Sequence, residues 1–279
     1  MAAVVLALSA SCCWGMADFV GGLQSKRLAV PVVLGVVEGT GLVLVVAIIV
    51  ATAEPWPGTR AAALSIVAGL AGVCALGCFY RALAIGTMSI VAPISATGVA
   101  LPVIVGVATG DTLSVVVSAG LAITVAGVIL ASREQQEDAQ RAAAGRTSIG
   151  LALLAALGFG SYFVLSDSAA DASVLWLLAL SRVLAPPALL VFARTRGLPM
   201  PRRPAAAALV VAGTLDVSAT GLYGLANIHG ALAVVAVVGS LYPLTTIVLA
   251  RVMLGERIRP VQRFGVAAAL VGVAMIAAG

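Results

Sequence analysis

The stretch VPVVLGVVEGTGLVLVVAIIVAT, residues 30–52, decides the fold. It holds one ionisable residue, Glu38, and as a helix rising 1.5 Å per residue it is long enough to cross a hydrocarbon layer of about 30 Å. Nine more segments read the same way: residues 1–22, 60–79, 83–109, 113–132, 148–166, 173–193, 204–225, 231–253 and 262–278. Together they consume nearly all of the 279 residues. The composition agrees. The chain is 62% hydrophobic and 10% charged, with a mean hydropathy of +1.15, whereas soluble domains carry roughly a quarter charged residues. Lipid offers no partner for an unpaired backbone group, so a spanning segment must be a helix or part of a closed barrel. No segment alternates polar and apolar residues as a barrel strand would. The reading is an all-α polytopic membrane protein with ten transmembrane helices. The first segment lacks a basic leader and carries Asp18, so it counts as a span rather than a cleaved signal.

Basic residues crowd the odd-numbered connections: Lys26 and Arg27; Arg81; Arg133, Arg141 and Arg146; Arg194, Arg196, Arg202 and Arg203; Arg257, Arg259 and Arg263. The other side has Arg60 with Glu54, Asp111, Asp167 and Asp171. The positive-inside rule makes the odd connections cytoplasmic and puts both termini outside a cytoplasmic membrane. The +5 charge is thereby explained without nucleic acid. Cys12, Cys13, Cys74 and Cys78 lie inside apolar helices, where they read as packing residues and not as metal ligands.

The halves repeat at a separation of 143 to 145 residues. Trp14-Gly15 corresponds to Phe159-Gly160, Tyr80 to Tyr223, and Gly86 to Gly230. Gly110-Asp111-Thr112-Leu113 corresponds to Gly255-Glu256-Arg257-Ile258, and Gly120 and Gly127 correspond to Gly265 and Gly272. Residues 1–132 and 148–279 form the two copies, with 133–147 connecting them. Five spans per copy force the second into the membrane upside down, the inverted-repeat plan of secondary transporters, whose substrates bind near the midplane.

In these motifs, above all Trp14-Gly15 and the Gly-Asp/Glu turn before the last helix of each copy, the chain resembles EamA-type members of the drug/metabolite transporter superfamily. The resemblance covers nearly the whole chain and implies a ten-helix carrier whose fourth and ninth helices line a central path. It differs in two respects: many family members have cytoplasmic termini, and the first copy has Asp111 where Glu is usual.

Charges at bilayer depth cost roughly 2.5–3.5 kcal/mol each on insertion scales, so each points to a function or to a partner. Asp216, Thr220, Tyr223 and Asn227 form a polar stripe on one helical face, either lining a cavity or bonding to a neighbouring helix. Trp14 and Asp18 share a face, an aromatic wall beside a carboxylate; alternatively Asp18 reaches water or pairs with Lys26. Glu38 and Arg182, 144 residues apart, read as a buried ion pair, with bonding of Arg182 to freed carbonyls as the alternative. Tyr80 and Tyr242 complete the substrate or coupling candidates. Pro93, Pro102, Pro186 and Pro243 each remove a helical hydrogen bond, marking a kink or gate where packing does not simply absorb them.

The function expected is secondary active transport of a small organic metabolite or drug by alternating access, as exporter or exchanger, with Asp216 or Asp18 as carrier of a coupling proton. Buried acids outnumber the one buried base, which favours a cationic or zwitterionic solute. A passive channel or lipid scramblase is the alternative. No nucleotide loop, metal cluster or nucleophile–base pair is present in the sequence, so no cofactor, metal or enzymatic activity is expected.

Overall fold

A computed structural model describes residues 2–108, 114–131, 139–170, 172–229, 238–239 and 241–278. Asp111 with its turn, Arg133, Asp171 and Gly230 lie outside the described residues, as do the side chains of Arg141, Asp167 and Asn227. The described chain is helical throughout. In order come α1 (Ala2–Ser25), α2 (Val30–Thr52), α3 (Thr59–Ile85), α4 (Met88–Ala96), a 3-10 turn (Thr97–Val99), α5 (Ala100–Ala108) and α6 (Val115–Ala131). The second half holds α7 (Ala139–Ala170), α8 (Val174–Arg182), α9 (Ala185–Thr195), α10 (Arg203–His229), α11 (Tyr242–Leu254) and α12 (Pro260–Ala278).

Six helical stretches among the described residues are long and apolar enough to span a bilayer, α8 and α9 counting together, and four shorter apolar helices stand at the other expected spans. Ten helical segments are thus present. Side chains such as Val43, Val50 and Val252, 68%, 75% and 76% exposed, give the bundle an apolar exterior, which suits acyl chains and not water.

Prolines set most of the breaks, though not as simple mid-helix kinks. Pro93 sits inside α4. The 3-10 turn comes a turn later, just before Pro102, which cannot donate to the Gly98 carbonyl. Pro186 and Pro187 fall in the first turn of α9, and the helix breaks ahead of them at Val183–Leu184. Pro243 likewise sits in the first turn of α11. A first-turn proline costs little, since its missing N–H would have had no helical partner. Helix α7 begins at Ala139, inside the expected connection, because AQRAAAGRT is rich in good helix formers.

Glycines set the packing. An added Cβ on Gly272 would lie 2.7 Å from the Gly120 carbonyl oxygen, and one on Gly120 would lie 2.9 Å from that of Gly272. The contact of α6 with α12 is therefore reciprocal. Other contacts exchange under the repeat offset: α1 packs on α10 as α7 packs on α3, and α2 on α10 as α8 on α3. Gly15 meets the Tyr242 carbonyl oxygen, and its counterpart Gly160 meets that of Gly98.

Glu256 makes one of the polar contacts that join the halves. Gly255 adopts φ +66 after α11 and turns the chain, so that Glu256 accepts hydrogen bonds from the backbone N–H groups of Met88 and Ser89, each at 3.0 Å, and from Ser89 Oγ at 2.9 Å. The carboxylate caps α4, where the orphan N–H groups and the helix dipole favour negative charge. Glu256→Ala is expected to lose about 2–4 kcal/mol, since bonds to charged groups are worth about 1.5–3 kcal/mol each and water replaces some of them. A lower midpoint of thermal unfolding in detergent, partly recovered in Glu256→Gln, is the measurement. A second cap ties α8 to the connection between α2 and α3. Ser173 Oγ accepts from the Trp176 N–H at 3.3 Å and donates to Glu54 Oε1 at 2.7 Å. The Trp56 and Trp176 rings meet edge to face at 4.9 Å, the kind of aromatic pair that sits at a membrane–water boundary.

Candidate functional site

Arg182 ends α8, and its guanidinium holds two carboxylates at once. Nε lies 2.9 Å from Glu38 Oε2 on α2, and Nη2 donates to Asp216 Oδ2 on α10 at 2.8 Å. Nη1 turns back to the Leu178 carbonyl oxygen at 3.3 Å and to Ser181 Oγ at 3.5 Å. The expected ion pair with Glu38 is present, whereas the carbonyl that Arg182 reaches, that of Leu178 within α8, is not the one that Pro186 leaves without a donor. The side chains of Arg182 and Glu38 are each 11% exposed and that of Asp216 is 26% exposed. Such burial is tolerable only because each charge meets its opposite.

Two small residues make the room. A Cβ on Gly41, one turn after Glu38, would come 2.9 Å from Val217 and 3.2 Å from Arg182 Nε. Gly213 rests against the Val37 carbonyl and Thr40, which brings α10 onto α2. Spacing on each helix then does the rest, since Glu38 and Gly41 share a face, as do Gly213 and Asp216.

Asp18 of α1 lies within electrostatic reach of Asp216, and its charge acts on the phenols of Tyr80 and Tyr242. No salt bridge to Lys26 forms among the described residues, and Lys26 is exposed. One turn before Asp18, the Trp14 ring sits 5.5 Å from that of Tyr223, tilted by 48°, and 6.5 Å from that of Tyr242, edge-on at 70°. Gly15 lets α11 come close enough for this, since a Cβ there would be 2.5 Å from the Tyr242 carbonyl oxygen. Thr246 Oγ1 donates to the Gly15 carbonyl oxygen at 3.1 Å and fastens the same crossing. Tyr80 lies against Gly21 and is almost wholly buried.

Six of the eight substrate or coupling candidates thus lie on α1 or on helices packed against it: Trp14, Asp18, Tyr80, Asp216, Tyr223 and Tyr242. Thr220 spends its proton on its own helix, on the Asp216 carbonyl oxygen at 3.1 Å, and the Asn227 side chain is not among those described. Pro186 packs on α2 beside Gly39, and Pro243 is buried at the start of α11. Sequence reasoning missed Tyr162, which lies in the field of Arg182. Its signal was a phenol in an otherwise apolar span. Thr246 gave no comparable signal.

A bundle of ten apolar helices with charges enclosed among them is the build of a polytopic membrane protein that handles solutes. Residues 146–278 match the model of the EamA-like transporter family, so the second half of the chain is similar to that family. The resemblance read from the sequence holds. A solved structure described only as "Crystal structure of protein" is similar to this chain, with a TM-score of 0.65 and 17% sequence identity, covering 98% of this chain and 96% of that one. At that identity the likeness concerns the fold alone. No curated protein matches the sequence.

Proposed function

We propose that the protein is a secondary transporter that carries a small organic solute across the cytoplasmic membrane by alternating access, as an exporter or exchanger. Two inverted five-helix repeats, residues 1–132 and 148–279, rock against each other around the site. The observation that carries this reading is the seam of Trp14, Asp18, Tyr223, Tyr242 and the Arg182 triad, drawn from both repeats and enclosed by helices. The exchange-related contacts support the repeat: α6 against α12 reciprocally, and α1 on α10 as α7 on α3. Inversion follows from the odd number of spans per repeat, and the charge count puts both termini outside.

Asp18 is the better candidate for a coupling proton. Asp216 is engaged by Arg182 Nη2 at 2.8 Å, whereas Asp18 has no salt bridge among the described residues and lies within electrostatic reach of Asp216, Tyr80 and Tyr242. The test is counterflow in proteoliposomes, using a solute chosen by thermal-shift screening, with and without an imposed pH gradient. Trans-stimulated uptake that responds to the gradient is expected, and Asp18→Asn is expected to abolish the response while leaving exchange measurable. Uptake without trans-stimulation would mean a channel. A full gradient response in Asp18→Asn would remove Asp18 from the coupling role.

A further inference from the structure

The connection between α9 and α10 carries four arginines, Arg194, Arg196, Arg202 and Arg203, and no acid occurs from residue 172 to residue 215. All four are exposed, and none makes a salt bridge among the described residues. The backbone that holds them is fixed. The Arg196 N–H donates to the Phe192 carbonyl oxygen at 3.0 Å, and the Leu198 N–H donates to that of Ala193 at 2.9 Å. Gly197 between them takes φ +62, the left-handed conformation that turns a chain at a helix end. Pro199, Pro201 and Pro204 then restrict the return into α10. One guanidinium is also placed, since Arg196 lies over the Phe192 ring at 5.5 Å from its centroid.

A groove of about 340 Å³ opens at this turn, lined by Leu190, Val191, Arg194, Thr195 and Met200. Its lining is mostly aliphatic, with one cation. Thr195 Oγ1 donates to the Phe192 carbonyl oxygen at 3.0 Å, so Arg194 is the lining side chain with donors to offer. Helix electrostatics do not account for the cluster. Arg194 suits the negative end of α9, but Arg202 and Arg203 stand where α10 begins, the end that prefers acids. The positive-inside rule asks for basic residues on this side, but not for an apolar groove lined by one of them.

We propose that this groove binds an anionic phospholipid of the leaflet that the charge count makes cytoplasmic. The phosphate is held by Arg194 and its neighbouring arginines, since guanidinium groups bind phosphate oxygens in pairs. An acyl chain lies along Leu190, Val191 and Met200. These walls are the reason to choose a lipid: Val191 is 62% exposed and Met200 37%, and a soluble phosphate ester would leave them uncovered. The inference needs only the membrane placement of the helices and goes beyond the transport mechanism.

The experiment titrates the delipidated full-length chain in detergent with phosphatidylglycerol, with phosphatidylcholine of the same acyl chains, and with glycerol 1-phosphate. Native mass spectrometry counts the bound molecules. Phosphatidylglycerol is expected to bind about tenfold or more tighter than phosphatidylcholine. Each arginine near an anionic surface is worth about fivefold. Arg194→Gln with Arg202→Gln should therefore weaken phosphatidylglycerol about twentyfold and leave phosphatidylcholine unchanged. Lys26→Gln with Arg27→Gln removes the same charge from another connection and should change neither lipid. Val191→Ser with Met200→Ser should weaken phosphatidylglycerol although every arginine is kept. All six side chains are exposed, so each variant should unfold at the parent's temperature. Equal binding of the two lipids, or an equal loss in the Lys26 and Arg27 variant, would overturn the proposal, because diffuse charge would then suffice. Glycerol 1-phosphate binding as tightly as phosphatidylglycerol would overturn it in favour of a soluble phosphate ester. Loss of the lipid site leaves counterflow untouched, and absence of counterflow leaves the lipid site standing.

Discussion

Arg182→Met is expected to cause the largest loss of stability of any single substitution in the described bundle. The guanidinium sits 2.9 Å from Glu38 and 2.8 Å from Asp216, and among the described residues it is the only contact through which three helices, α2, α8 and α10, share a charge. Methionine fills much of the same volume but leaves two carboxylates facing each other where little water reaches. Removing one partner of a buried pair typically costs about 3–5 kcal/mol, because the remaining charge is stranded. Against a total of about 5–15 kcal/mol for a folded protein, that is a large share. The variant should be recovered in low yield and unfold at a markedly lower temperature in detergent. The triple variant Arg182→Met, Glu38→Gln and Asp216→Asn should recover most of the loss, since no ion is then left unpaired. A single variant as stable as the parent would mean that the triad does not hold these helices together.

Gly272→Leu should come second. The site of a Cβ there is crowded by backbone, the Gly120 carbonyl oxygen at 2.7 Å and the Thr124 N at 2.6 Å, and by the Thr124 hydroxyl. A flexible side chain could yield, but these atoms move only if α6 and α12 part. Overpacking costs typically about 1–3 kcal/mol and sometimes more, and here it would act on the contact where the two halves meet reciprocally. Lower thermal stability and faster proteolysis between the halves are the readouts. Gly150→Ala is the internal control, because nothing lies within 4 Å of a Cβ at that helical position. Replacing a mid-helix glycine there should be neutral or should stabilise by about 0.5–1 kcal/mol.

Much of this was legible in the sequence because membranes impose strong local rules. Hydropathy located the spans, and residues 30–52 coincide with α2. Glu38 and Arg182 stood out as charges where charges are costly, and the repeat offset suggested their pairing. The position of the breaks was harder to read. A proline states that one hydrogen bond is missing but not whether the helix bends, restarts or passes into a tighter turn. Asp216 as a second partner of Arg182 depends on Gly41 and Gly213 bringing α2, α8 and α10 to one point, and no local pattern encodes that convergence. Glu256 was visible as half of a repeated turn. Its true partner, the first turn of α4, lies 168 residues away, beyond any periodicity. Thr246 was hidden for the opposite reason: one threonine in a helix is usually bonded to its own backbone, whereas this one bonds to α1.

The Glu256 cap also has a consequence for biogenesis. As the chain leaves the ribosome, the beginning of α4 enters the membrane with its leading amides open, and it stays so until 168 further residues have been made. At about 5–20 residues per second that wait is roughly 8–34 s. The amino-terminal half therefore reaches its finished form only after residue 256 has been made, and a nascent chain truncated before it would present quality-control proteases with an unsealed helix.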